Sequence, residues 1–212
     1  MKNVMVIGAH YDDAELGVGG TMAKLVKTGG VNINVYKLTL TDNETNFTQK
    51  NIKVSSKKSL TESKNACRIL GVEQVDFEPV ECCKLRYSTE TMQRIEKIIW
   101  DLNIDTAFVH YSCDYNQDHV EASRLCKTAL RHCDNILYYQ SNGYILDKTF
   151  EPHVFVDISD TFEKKKSALK CYGSGHDRFN RLFDIVCKQN EVWGYGNEVL
   201  AAEGFMPVKM MI

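Results

Sequence analysis

Proline is scarce in this chain, three in 212 residues, and no internal repeat or low-complexity segment interrupts it. Nothing therefore marks a linker, and residues 1–212 read as a single domain long enough to bury a substantial core. Long hydrophobic runs are missing as well. None approaches the ~20 apolar residues that a membrane span needs. The run Val4-Met5-Val6-Ile7 is too short for a signal-peptide core, and Asp12 and Asp13 follow it closely, so it reads as the first strand of a cytoplasmic protein. There is no basic block. Lys57-Lys58 and Lys164-Lys165-Lys166 are short clusters that suit solvated helix faces, and the formal net charge is -2, which argues against nucleic acid or an anionic membrane as the main partner. No C-x-x-C pair exists, so a zinc ribbon and a thioredoxin-type site lack support. The eight cysteines, with Cys82-Cys83 adjacent and Cys67, Cys113, Cys126, Cys133, Cys171 and Cys187 scattered, fit free thiols in a reducing compartment.

What the chain does contain is an alternation of strand-length apolar runs with segments of helical period. Strands are expected at Val4 to Ile7, Val31 to Thr39, Val72 to Phe77, Thr106 to Val109, Ile136 to Tyr139 and Val154 to Val156. Helices are expected from Gly19 to about Lys27 (Met22, Leu25 and Val26 inward), Val54 to Leu70 with Gly71 as C′ residue, Met92 to Leu102 and Asp118 to Arg131. Beyond Asp160 the chain reads as helical to about Trp193. This order predicts an α/β, Rossmann-like three-layer domain with a mostly parallel sheet. In such folds ligands gather beyond the carboxyl ends of the strands.

Two polar clusters fall at such ends. In Gly8-Ala9-His10-Tyr11-Asp12-Asp13, with Glu15 just beyond, three carboxyl groups and an imidazole crowd into six residues. They resist burial together unless a cation or hydrogen bonds compensate. His10 and Asp13 offer a nitrogen and an oxygen that a tight turn can aim at one point, leaving Asp12 beside a metal without binding it. A helix start with acidic caps is the other reading of the same residues. Gly17-Val18-Gly19-Gly20 lacks the G-x-G-x-x-G spacing of a dinucleotide loop, with Met22 at the third glycine position, so these glycines serve turning and close packing. The second cluster, Asp114-Tyr115-Asn116-Gln117-Asp118-His119, offers His119 as a third ligand and Asp118 to orient an imidazole.

Together the two clusters resemble the PIG-L/LmbE-like N-deacetylase family, whose first motif reads A-H-P-D-D-E and whose second ends in D-H. Further landmarks are Leu38-Thr39 to Asp42, Glu62 with Ala66 and Leu70-Gly71, Phe155-Val156-Asp157-Ile158, Tyr172-Gly173-Ser174 and Ala202-Glu203-Gly204-Phe205. The resemblance implies that His10, Asp13 and His119 bind one zinc ion, that Asp12 is the general base, and that the N-acetyl group of a small-molecule amino sugar or sugar conjugate is hydrolysed, with a nucleotide carrier left open. It leaves other divalent metals open, and homo-oligomer assembly is compatible with it, although no interface is legible.

Departures from the motif are Tyr11 for Pro, Ala14 for Glu, and Asn116 where many relatives carry His. Asn donates a hydrogen bond but cannot deliver a proton at neutral pH, so Asp12 is expected to return to the leaving amine the proton it takes from water. Asp118, Asn116 and His110 are the candidates for supporting or substrate contacts. His176-Asp177-Arg178, Arg86 and Arg181 are further candidates on the substrate side. The competing reading is a catalytically impaired, metal-containing sugar-binding protein of the same fold.

Overall fold

The computed structural model describes residues 1–27, 33–47, 52–144, 147–172 and 177–211. The expected strand start at Val31, the landmarks Gly173 and Ser174, and His176 lie outside these residues, as do the side chains of Asp177 and Arg178.

Strand β1 (Asn3–Gly8) is the centre of the sheet. Its residues Val4 to Ile7 are fully buried, as a strand covered on both faces must be. Helix α1 (Asp13–Lys27) follows, then β2 (Asn34–Thr39), a small antiparallel hairpin of β3 (Thr45–Phe47) and β4 (Ile52–Val54), and α2 (Ser56–Leu70). Next come β5 (Glu73–Gln74), α3 (Thr89–Asp101), β6 (Thr106–His110), α4 (Gln117–Ala129), β7 (Asn135–Tyr139) and β8 (Val154–Asp157). Helices α5 (Phe162–Leu169) and α6 (Asp177–Gly196) precede the final strand, β9 (Ala202–Lys209).

The seven-stranded sheet has the order β5-β2-β1-β6-β7-β9-β8, parallel from β5 to β7, with β9 antiparallel to both neighbours. Successive residues of β1 point to opposite faces, and the core divides accordingly. Val4 and Val6 pack among residues of α1, α2, α5 and α6, whereas Met5 and Ile7 pack among residues of α3 and α4. That is the expected three-layer arrangement. The chain moves outward from β1 to β2 and β5, then returns to the other side of β1 at β6. The crevice between β1 and β6 is thus the switch point where such sheets bind ligands.

Several boundaries differ from expectation. Helix α1 begins at Asp13, six residues before Gly19, because the acidic residues of the motif occupy its first turn and complement its dipole. Its glycines are there for contact. A Cβ on Gly17 would lie 2.1 Å from the Tyr139 ring, and one on Gly20 would meet Ile158 at 2.7 Å. Val26 is exposed, not inward. Val54 belongs to β4, with Ser55 capping α2, and Gly71 ends that helix at φ 81° as expected. The strand expected over Val72 to Phe77 pairs only at Glu73–Gln74. The helical stretch beyond Asp160 is broken into α5 and α6, and β9 was not anticipated, since Gly204 and Pro207 are poor strand residues. Pro207 is tolerated where the register shifts between Ile136 and Leu137.

One buried cation fixes the first motif. Lys37 shares the inward face of β2 with Val35, and its Nζ donates to both oxygens of Glu15 at 2.7 and 2.8 Å, to Ser63 Oγ at 2.8 Å and to the Tyr11 carbonyl. The Tyr172 hydroxyl donates to that same carbonyl at 2.7 Å. Both charged side chains are fully buried. Lys37→Met strands the Glu15 carboxylate, and the expected cost is about 3–5 kcal/mol of stability. A lower urea midpoint, largely restored in Lys37→Met/Glu15→Leu, is the expected measurement.

Candidate metal centre

Three adjacent parallel strands end at one place. His10 lies two residues beyond β1, His110 is the last residue of β6, and Ser141 lies two residues beyond β7. The turn from β1 into α1 is held by the His10 backbone N–H, which donates to Asp13 Oδ2 at 2.7 Å. At the second motif, Asn116 caps α4: its Oδ1 accepts the Asp118 N–H at 2.9 Å. This cap presents Asp118 and His119, both buried, in the first turn of α4.

His10 Nδ1, His119 Nε2 and the Asp13 carboxylate converge. Nδ1 to Nε2 is 3.2 Å, Nδ1 to Oδ2 is 3.4 Å, and Nε2 to Oδ1 is 3.3 Å. A tetrahedral ion with bonds of about 2.0–2.1 Å spaces its nitrogen and oxygen ligands about 3.3 Å apart. The two nitrogens are spaced as one edge of such a tetrahedron, and each faces a different oxygen of the Asp13 carboxylate across a similar distance. Each imidazole is also turned by a carboxylate behind it. His10 Nε2 faces Asp118 Oδ2 at 3.3 Å, and His119 Nδ1 faces Asp114 Oδ2 at 3.0 Å. With protons on those outer nitrogens, both inner nitrogens carry a free lone pair, the arrangement that metal-ligating histidines use.

The supporting carboxylates are themselves fixed. Asp118 accepts the backbone N–H groups of Cys83 at 2.7 Å and Leu85 at 3.3 Å. Asp114 accepts from Asn142 Nδ2 at 2.7 Å, and Asp13 Oδ1 accepts from Ser141 Oγ at 2.9 Å. The charges show the same design. Burial alone depresses the His10 imidazole, but its hydrogen bonds to Asp118 and Asp13 outweigh this and raise its pKa well above the usual histidine range. Against the same burial, the Asp13 charge and the Asp114 hydrogen bond lift His119 to about 9. Burial raises Asp13, yet the charges of His119 and His110 hold it well below an ordinary carboxylate. The pocket thus calls for positive charge, and two facing imidazoliums supply it poorly. A single cation between them satisfies the same carboxylates.

Asp12 is half-buried, and its carboxyl is raised to about 6, first by burial and then by the neighbouring charge of Asp13. His110 is buried under the centre. Its Nε2 accepts the Ala9 N–H at 3.0 Å and lies 3.1 Å from Asp13 Oδ2, and its ring stacks on His119 with centroids 4.0 Å apart. Burial, then the His119 charge, lowers it to about 4, so it is a neutral floor to the site.

The structure brings His10, Asp13, His119, His110 and Asp118 together and shows Asn116 as a helix cap. Arg86 turns to its neighbour, donating to the Leu85 carbonyl at 2.6 Å. Sequence reasoning gave no role to Asp114, Ser141, Asn142 or Cys82; for Asp114 the signal was there, five residues before His119 in the same loop.

A cavity of about 300 Å³ opens beside Asn142. It is lined by the aromatic rings of Tyr144, Phe150 and Trp193 and by the amides of Gln140, Asn142 and Gln189, and none of its described lining residues is charged. Among the described residues no helix is long and apolar enough to cross a membrane.

Comparison with known proteins gives the same motifs a family context. The PIG-L family profile, described as GlcNAc-PI de-N-acetylase, matches residues 5–130. An uncharacterized deacetylase of Escherichia coli (strain K12) is 28% identical over 180 residues, covering 82% of this chain and 91% of that protein. The diacetylchitobiose deacetylase of Thermococcus kodakarensis is 27% identical over 194 residues, covering 82% and 70%. The crystal structure of a 4-carboxy-2-hydroxymuconate hydratase from Pseudomonas putida superposes with a TM-score of 0.85, covering 100% of this chain and 98% of that one at 18% identity. That likeness concerns the fold and not the reaction.

Proposed function

This chain belongs to the PIG-L family of de-N-acetylases and is a sugar N-deacetylase; from that premise we propose that His10, Asp13 and His119 hold one divalent ion, zinc by the nature of the donors, and that Asp12 is the base. The observation that carries this reading is the convergence of His10 Nδ1, His119 Nε2 and the two oxygens of Asp13 at 3.2–3.4 Å, with a carboxylate behind each imidazole. When bound, such an ion supplies Lewis acidity toward the amide carbonyl and toward water.

The residues of the chain do the rest. Asp12, whose carboxyl is raised to about 6, is ionised near neutral pH yet basic enough to take the proton of the attacking water. Asn116 spends its Oδ1 on the Asp118 N–H and has no acidic proton, so Asp12 returns the proton to the departing amine. Asp118 and Asp114 keep the imidazoles in the tautomers that bind metal. The described lining of the cavity beside Asn142, aromatic rings and amides, supports a sugar on that side, because rings pack on sugar C–H faces while amides meet hydroxyls. Strand β9 lies inside the sheet, which supports reading residues 1–212 as one deacetylase domain. The eight free cysteines support a reducing compartment, the cytoplasm.

Acetate release across a panel of N-acetyl sugars and nucleotide sugars tests this. Turnover should stop with a chelator and return with a divalent ion. A metal-loaded protein that binds these sugars and releases no acetate would make it the binding protein of the competing reading. A finer test is Asp114→Asn, which removes the carboxylate behind His119. Metal affinity is expected to fall by about 10–100-fold in competition with a chelator, with the fold retained.

A further inference from the structure

The loop before α3 places sulfur against the back of His10. Cys82 is buried, and its Sγ lies 3.8 Å from Asp118 Oδ2 and 3.8 Å from the Sγ of Cys83, which is exposed. Ligand atoms of His10, Cys82 and Asp118 all lie within 4.8 Å of one another. The loop is not free to drift, because the Cys83 and Leu85 N–H groups both donate to Asp118.

These separations match a coordination shell. Around a tetrahedral zinc with Zn–S about 2.3 Å and Zn–N or Zn–O about 2.0–2.1 Å, the expected edges are about 3.5 Å for sulfur to oxygen and about 3.3 Å for nitrogen to oxygen. The observed values are 3.8 and, for His10 Nε2 to Asp118 Oδ2, 3.3 Å. Hydrogen bonding accounts for the imidazole–carboxylate pair alone. It leaves a thiol, an imidazole nitrogen and a carboxylate oxygen gathered within 4.8 Å of one another, the donor set of a soft or borderline metal ion.

We propose that His10 Nε2, the Cys82 thiol and Asp118 form a second, sulfur-containing site for a thiophilic divalent ion, back to back with the catalytic one. The ligand types fit such an ion, since thiolate selects soft and borderline metals. The two sites share one imidazole. A neutral imidazole has one N–H and one lone pair, so an ion that takes the Nε2 lone pair leaves the ring proton on Nδ1 and withdraws Nδ1 from the catalytic centre. Occupation of the sulfur site therefore opposes occupation of the catalytic site, and an excess of a thiophilic ion switches the enzyme off. The existence of the site rests on its donors alone; the inhibitory consequence rests on the reading of His10 as a catalytic ligand.

Cadmium is the probe. The full chain, reduced and stripped of metal, is titrated with Cd²⁺ while ultraviolet absorption follows thiolate-to-cadmium charge transfer. The band is expected in the wild type and lost in Cys82→Ser/Cys83→Ser. Mass spectrometry of alkylated wild-type protein should show Cd²⁺ protecting the peptide that carries Cys82 and Cys83, a readout that depends on no variant and on no activity. Absence of the band, its persistence in the double variant, or unprotected Cys82 and Cys83 would each overturn the site. In turnover, excess Zn²⁺ should inhibit the wild type and spare Cys82→Ser. Cadmium bound at these sulfurs with the catalytic ion and turnover undisturbed would overturn the coupling. A protein that shows the sulfur band yet hydrolyses no N-acetyl sugar fails the functional reading and leaves this site standing.

Discussion

Asp12→Asn is expected to lower turnover by about 10²–10⁴-fold, the usual contribution of a positioned general base, while the bound metal stays at its wild-type content. Asn has nearly the same shape as Asp, so the turn between β1 and α1 keeps its geometry. What it loses is the capacity to hold a proton. The three converging donors come from His10, Asp13 and His119, and Asp12 is not among them. Elemental analysis and acetate release on the same preparation separate the two effects. Near-normal turnover in the variant would remove Asp12 from the mechanism, and lost metal would move it into the ligand set.

His119→Ala is expected to lose both metal and turnover. The ring stands between two carboxylates, with Nε2 3.3 Å from Asp13 Oδ1 and Nδ1 3.0 Å from Asp114 Oδ2, and it stacks on His110. Removing it leaves two ligands, too few for a stable site of the three-ligand catalytic type. It also leaves Asp13 and Asp114 without a cationic or hydrogen-bonding partner on that side, which disfavours the ionised carboxylates that the remaining site needs. Metal content is expected to fall from about one ion per chain to background, and acetate release with it. Added imidazole, which fits the vacated space, should recover part of both. A variant that keeps its ion would show that His119 orients rather than binds.

The two variants separate because their side chains lie on different links of the same chain of causes. On the proposed roles, His119 would set where positive charge sits, and Asp12 would use that charge to move a proton. The Lys37–Glu15 pair lies one step further back, holding the Tyr11 carbonyl and with it the turn that aims His10 and Asp13. Its loss is expected to appear in stability first.

How much of this was legible in the sequence depended on distance along the chain. Local periodicity placed β1, β6, β7 and the body of α2 and α4, because an apolar run covered on both faces or a helical stripe is written in consecutive residues. It misplaced the start of α1, where glycines that look like a loop are packing contacts against Tyr139 and Ile158. It missed β9, whose Gly204 and Pro207 carry no strand signal and whose place is set by its neighbours β7 and β8.

The sequence by itself determined the make-up of the candidate site: His10, Asp12, Asp13, Asp118 and His119 stand in two short motifs, and crowded carboxylates beside imidazoles resist burial unless a cation or hydrogen bonds compensate. Only the tertiary structure decided which atom faces which. It assigned Asp118 to His10 and Asp114 to His119, laid His110 beneath the centre, turned Asn116 into a helix cap, and set Cys82 beside His10 and Asp118. The physical reason is that a ligand's identity is a property of its residue. Its tautomer, its supporting carboxylate and its access to a second ion are properties of strands and loops brought together from more than a hundred residues apart.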